Sequence, residues 1–130
     1  MARISKLNID EWDPELRELS RADSATPLEQ GLTRMFAHSP EVAKGLMAFA
    51  GGLKIHRELP ERMVELVRLR VAFHNQCRSC MAIRYKDAIE DGLTEDLVCS
   101  LEKPMEADNL SDAEKIAIKY GELMATNHLS

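Results

Sequence analysis

The residues Pro60–Cys80, PERMVELVRLRVAFHNQCRSC, decide the fold of this 130-residue chain. Pro60 suits the first turn of a helix, and the apolar residues that follow occupy most of the helix circumference up to about Asn75. This pattern predicts a helix that is buried at the centre of the domain. Charged residues stand out against this apolar background, namely Glu65, Arg68 and Arg70. A cysteine pair follows at the start of the next helix.

Helical periodicity continues outside this stretch, and no period-two strand pattern accompanies it. The predicted fold class is therefore all-α, a compact helical domain of about six helices. The expected helices cover approximately residues 27–38, 40–52, 60–75, 77–91, 94–101 and 112–126, each with an apolar face directed to the core. The predicted core faces include Leu28, Leu32, Val42, Leu46, Phe49 and Leu53 in the first two helices and Ile116, Tyr120 and Met124 in the last, which a capping box at Ser111 begins. Residues 1–25 are rich in carboxylates and poor in apolar residues. We expect them to form an N-terminal arm with a short helix over Pro14–Leu19, followed by a helical domain over residues 26–130.

Composition excludes several classes of function. Hydrophobic residues make up 45% of the chain and the formal net charge is −5. Because nucleic acids and anionic membranes bind proteins through basic surfaces, neither is an expected partner. No apolar stretch approaches the ~20 residues that span a bilayer, and no signal peptide is apparent. The cysteines therefore indicate thiols in a reducing, cytoplasmic environment.

The segment Cys77-Arg78-Ser79-Cys80 carries the clearest chemical signal. Cysteines three residues apart at a helix start lie about 60° apart around the axis, close enough for a disulfide. Unpaired N–H groups and the positive end of the helix dipole favour the nucleophilic thiolate there. We therefore predict redox chemistry for this pair. The two alternatives are a zinc site, which needs a second ligand pair, and two cysteines that only pack. Cys99 is expected to be a packed core residue.

The segment 65–72 (ELVRLRVA), Asn75 and the Cys77-x-x-Cys80 motif together resemble the carboxymuconolactone decarboxylase/alkylhydroperoxidase D-like superfamily, more narrowly its peroxidase-related branch. The resemblance covers roughly residues 26–127. It implies an all-α fold with a CxxC active site in a homo-oligomer, a dimer, trimer or hexamer. The apolar surface of the central and last helices exceeds what six short helices cover, which also predicts a homo-oligomer. The resembled domain typically continues with further helices beyond residue 127, which leaves two interpretations open, a naturally short form or a domain lacking its C-terminal helices.

The resemblance also implies roles for individual residues. Cys80 would attack a hydroperoxide, Cys77 would resolve the sulfenic acid as a disulfide, and Glu65 would be a base acting through a relay. A thiol or dithiol would supply electrons, and no cofactor or metal is implied. The sequence departs from the family pattern at two positions where histidine is common, which Ser79 and Arg84 occupy here.

These departures leave other interpretations open. Arg84, expected one helical turn after Cys80, stays charged and carries no protons, but it can stabilise the thiolate or pair with Glu65. An ion pair of Glu65 with Arg68 is the alternative, and His74 is the candidate substitute for the missing histidine. Two other functions also remain: a carboxymuconolactone decarboxylase-like lyase, which needs no redox pair, and a non-enzymatic redox-sensing oligomeric protein.

Overall fold

A computed structural model describes residues 3–127 of the chain. Its helices are α1 Pro14–Leu19, α2 Thr33–Phe36, α3 Pro40–Ile55, α4 Glu61–His74, α5 Arg78–Ala82, α6 Lys86–Glu90, α7 Glu95–Cys99 and α8 Asp112–Thr126. Short 3-10 helices cover Ile9–Glu11, Ser100–Glu102 and Pro104–Glu106. Residues 3–127 contain no strand, and the predicted all-α class is confirmed. Across the same residues, none of the helices has the length and apolar character needed to cross a bilayer.

The chain forms two compact units, Met1–Arg57 and Glu58–Ser130. The arm over residues 1–25 and the domain over residues 26–130 stay a prediction. The first two and the last three residues of these ranges lie outside the described residues.

In the first unit, α1 has the bounds that the sequence predicts. Asp13 caps it by accepting a hydrogen bond from the Leu16 backbone N–H at 3.0 Å, and Pro14 occupies the first turn. The N-terminal segment is packed within its own unit, because Trp12 and Leu16 are buried in a cluster with Ala37 and Ala43.

The predicted helix over residues 27–38 is wrong in extent, since only Thr33–Phe36 is α-helical. The preceding residues form turns, in which the buried Gln30 amide donates to the carbonyls of Ala22 and Ala25. The predicted core face of this region is also wrong. Because Trp12 and Leu16 fill the core, several large apolar side chains remain exposed, namely Leu28, Leu32, Val42, Leu46, Phe49 and Leu53.

In the second unit, α4 is the central helix that the sequence predicts. It contacts α5, α6, α7 and α8. Leu66 and Leu69 are fully buried in a cluster completed by residues of the later helices, including Leu101 and Ile118. A capping box at Ser111 starts α8, again as predicted.

The predicted core face of α8 is wrong, because the helix packs on α4 through a different strip. Glu114 and Ile118 are buried, and Gly121 lies so close to α4 that a Cβ there would approach Val67 Cγ1. The predicted face is instead exposed, with Ile116, Tyr120 and Met124 facing outward.

Candidate active site

The end of α4 places the cysteine pair. Gln76 donates its backbone N–H to the Phe73 carbonyl at 3.1 Å, and Cys77 donates to the Ala72 carbonyl at 3.0 Å. These two bonds, with Gln76 at φ 51°, form a Schellman motif. A left-handed conformation costs a non-glycine residue about 1–2 kcal/mol, so surrounding contacts must hold it. The chain reverses here, and Cys77 becomes the N-cap residue of α5.

Cys77 and Cys80 form a disulfide across the first turn of α5, with their Cα atoms 5.3 Å apart. Both residues are half-buried, and the Sγ of Cys77 lies 3.7 Å from the Ser79 hydroxyl. The predicted position of the pair at a helix start is confirmed. A linked pair with partial exposure can exchange with an external thiol.

Glu65 lies in the middle of α4 and is only 3% exposed. Its two carboxylate oxygens accept hydrogen bonds from Arg68, from Nε at 2.6 Å and from Nη2 at 2.7 Å. This two-bond geometry is the strongest that an arginine and a carboxylate adopt. Of the partners considered for Glu65, the structure therefore selects Arg68 and not Arg84.

Arg68 also reaches the cysteine segment. Its Nη1 donates to the Cys80 carbonyl at 2.7 Å, and its Nη2 donates to the Ile83 carbonyl at 3.0 Å. The guanidinium carbon lies 5.2 Å from the centre of the Tyr85 ring, within cation–π range. Sequence reasoning considered Arg68 only as a partner for Glu65. Its spacing of three residues from Glu65 on a buried helix was the available signal.

The same contacts explain why the predicted helix over residues 77–91 is wrong. In a continuous helix, the carbonyls of Cys80 and Ile83 would accept the N–H groups four residues later. Arg68 occupies both carbonyls instead, and Ile83 is extended at φ −76° and ψ 138°. The segment therefore divides into α5 and α6.

Arg84 does not lie one helical turn beyond Cys80, because α5 ends at Ala82. Its guanidinium donates to both carboxylate oxygens of Glu95, at 2.8 and 3.1 Å, and to the Met81 carbonyl at 2.6 Å. Hydrogen bonding from Arg84 lowers the pKa of the Glu95 carboxyl. Glu95 is a partner that sequence reasoning missed, because it begins another helix.

A cavity of about 510 Å³ lies beside the last turn of α4. Apolar side chains and arginines line it, including Phe73, Val98, Leu101, Arg70 and Arg84. Cys99 lines it too and is exposed, so the prediction of a packed core cysteine is wrong. The physical reason is that α7 buries Leu97 and Val98, which turns Cys99 away from the core.

His74 is exposed in the last turn of α4. Its suggested role as a substitute for the missing histidine stays a prediction. Within residues 3–127, no group of three His, Cys, Asp or Glu side chains could hold a metal ion.

The fold and the site define an all-α protein in which the short helix after the central helix α4 begins with a CxxC disulfide. Residues 40–122, more than half of the chain, match the carboxymuconolactone decarboxylase family, and the protein belongs to that family. The family predicted from the segment around Glu65 and Cys80 is thus confirmed. No curated protein and no solved structure matches the chain.

Proposed function

We propose that the protein is a thiol-dependent peroxidase, an antioxidant oxidoreductase that reduces hydroperoxides with Cys80 and Cys77. The observation that carries this proposal is the Cys77–Cys80 disulfide across the first turn of α5, in a half-buried position. Membership of the carboxymuconolactone decarboxylase family supports it. A lyase has no need of such a pair, whereas a thiol peroxidase with a resolving cysteine forms a disulfide in each turnover.

The proposed catalytic cycle has three steps, each of which conserves atoms and electrons. The Cys80 thiolate attacks the terminal peroxide oxygen, the O–O bond breaks, and the leaving alkoxide takes a proton from solvent to become an alcohol. Cys80 is then a sulfenic acid, which the Cys77 thiol attacks to form the S–S bond with release of water. An external thiol or dithiol finally returns two electrons and two protons to the pair. A cytoplasmic location, where thiols are kept reduced, belongs to the same proposal.

Self-association is also part of the proposal. Large apolar side chains are exposed along one side of α3, including Phe49 and Leu53, and along α8, including Ile116 and Tyr120. Exposed apolar faces of this kind mark interfaces between proteins, and a second copy of the chain is the occupant we expect. Light scattering after gel filtration should give a dimer, trimer or hexamer. A monomer at micromolar concentration would contradict this part.

Sulfenic acid trapping tests the function. Reduced Cys77→Ser protein is mixed with one equivalent of an alkyl hydroperoxide in the presence of dimedone, and the modified residue is identified by mass spectrometry. We expect dimedone on Cys80, because the resolving thiol is absent. Cys99→Ser is the matched control, since it removes an exposed thiol outside the pair.

Two results would favour the other functions. Peroxide reactivity no greater than that of free cysteine would favour a redox sensor. Turnover of a lactone acid that persists after thiol alkylation would favour a lyase.

A further inference from the structure

The Glu65 carboxylate is fully engaged inside the second unit. It is 3% exposed, and each of its oxygens accepts a hydrogen bond from Arg68 at 2.6–2.7 Å. A carboxylate in this arrangement acts as an acceptor for a planar guanidinium. Its nearest proton-bearing partner is an arginine, which does not give up its proton in a protein. This geometry suits an anchoring role better than the role of a base.

The other donors of Arg68 reach the segment that carries the thiols. Nη1 bonds the carbonyl of Cys80 itself, and Nη2 bonds that of Ile83 just after α5. Helix α5, which contains Cys80 and ends just before Ile83, has five residues, too few to be stable without tertiary contacts. Its position relative to α4 therefore depends on the contacts that the Arg68 guanidinium makes.

We infer that Glu65 and Arg68 act as a pair of positioning residues, which hold Cys80 next to Cys77 when the disulfide is reduced. This inference rests on the proposed dithiol redox function. In the reduced protein no S–S bond fixes the turn, and the bond from Arg68 to the Cys80 carbonyl takes over that task. Because the two thiols are held close together, less entropy is lost when the disulfide forms. Glu65 acts on the thiols only through Arg68.

A redox equilibrium measures this role directly. Full-length protein in a Cys99→Ser background is equilibrated with defined ratios of reduced and oxidised glutathione. The fraction of Cys77–Cys80 disulfide is then determined by alkylation and mass spectrometry. We expect Glu65→Gln and Arg68→Lys each to lower the equilibrium constant for disulfide formation about tenfold, which corresponds to about 30 mV. The double variant should have the same equilibrium constant as the single variants, because both changes disrupt the same Glu65–Arg68 pair.

Arg70→Lys is the matched control. Arg70 lies on the same helix, bonds the Leu101 carbonyl at 2.7 Å and pairs with Glu122 at 2.7 Å, so it resembles Arg68 in its chemistry. The bonds of Arg70 do not reach α5. The equilibrium constant for disulfide formation in Arg70→Lys should therefore stay at the wild-type value. Equal shifts for Arg70→Lys and Arg68→Lys would overturn the inference, as would unchanged constants for both Glu65→Gln and Arg68→Lys.

The pH dependence of Cys80 alkylation by iodoacetamide separates positioning from base catalysis. A positioning role leaves the midpoint of this profile unchanged in Glu65→Gln, whereas a base role shifts it and would overturn the inference. If Arg68→Lys does not fold, Glu65→Gln decides alone, since it keeps an acceptor oxygen and the side-chain shape. None of these measurements uses a peroxide, so a failure of the proposed peroxidase function is seen separately.

Discussion

The Arg68 guanidinium donates a hydrogen bond of 2.7 Å to the carbonyl oxygen of Cys80, which joins the middle of α4 to the turn that carries the cysteine pair. The same side chain holds both oxygens of the buried Glu65 carboxylate. A charged residue of the central helix thereby fixes where α5 ends. The position of the cysteines thus depends on α4 as well as on their own short helix.

Replacement of Arg84 by histidine should not raise the rate of peroxide reduction. A relay histidine would need to lie one turn after Cys80, but α5 ends at Ala82 and the Arg84 side chain is held by Glu95. We expect Arg84→His to leave the second-order rate constant within about threefold of wild type, less than 1 kcal/mol in activation free energy. Stopped-flow peroxide consumption measures this, with Glu95→Gln as the control that breaks the same ion pair. A tenfold or larger gain would restore the relay hypothesis.

Gly121 should not tolerate a methyl group. A Cβ there would overlap Cγ1 of Val67, a stiff β-branched side chain on α4. Overpacking costs about 1–3 kcal/mol, which exceeds the roughly 1 kcal/mol that alanine gains over glycine in a helix. Gly121→Ala should therefore lower the free energy of unfolding, measured by urea denaturation. Gly45→Ala is the control, because nothing lies within 4 Å of a Cβ there, and it should stabilise the protein. The same sign of change for both variants would contradict the packing of α8 on α4.

Replacement of Gln76 by glycine should stabilise the protein. The φ of 51° at Gln76 is a conformation that glycine adopts without strain. Relief of that strain, partly offset by the larger entropy of glycine in the unfolded chain, should raise the free energy of unfolding by about 0.5–1 kcal/mol. Gln76→Val should lower it, because β-branched residues disfavour positive φ. A loss of stability in Gln76→Gly would contradict the Schellman motif that places Cys77.

Acid should destabilise the protein partly through Glu114. Burial alone would raise the pKa of this carboxyl, but hydrogen bonds from Ser111 and Arg62 hold the pKa below its ordinary value. Because the folded pKa is depressed, the stabilisation is present above the unfolded pKa of about 4.3 and is lost as the pH falls through the lower folded pKa. Glu114→Gln should flatten the fall in unfolding free energy below pH 5, measured by urea denaturation.

The exposed Glu90, which pairs with Lys86 on its own helix, supplies the control for this pH dependence. Glu90→Gln should show the same fall in unfolding free energy below pH 5 as wild type. If Glu114→Gln also showed the wild-type fall, the role given to the Glu114 carboxylate would be contradicted.

The elements that local patterns encode could be predicted from the sequence. Pro14 and the capping box at Ser111 start α1 and α8 as expected, and the apolar circumference of α4 identifies the central helix. The cysteine pair at a helix start was also predictable from its spacing and from the family resemblance. In each case the physical cause lies within a few residues of the feature it produces.

The remaining features depend on contacts between distant residues. The break after Ala82 arises because Arg68, on another helix, takes two backbone carbonyls. The Arg84–Glu95 pair likewise joins two elements. Periodicity assigns Ile116 and Tyr120 to one face of α8, but it does not say whether that face meets the core or the outside. Here it faces outward.

A single-turnover thiol titration tests the central claim most directly. Reduced wild type, Cys80→Ser and Cys99→Ser proteins are each mixed with one equivalent of hydroperoxide, and peroxide consumption is followed together with free thiols. The account predicts that wild type and Cys99→Ser lose two thiols per peroxide and form the Cys77–Cys80 disulfide, while Cys80→Ser consumes peroxide only at the background rate. Peroxide consumption by Cys80→Ser at the wild-type rate would contradict the account.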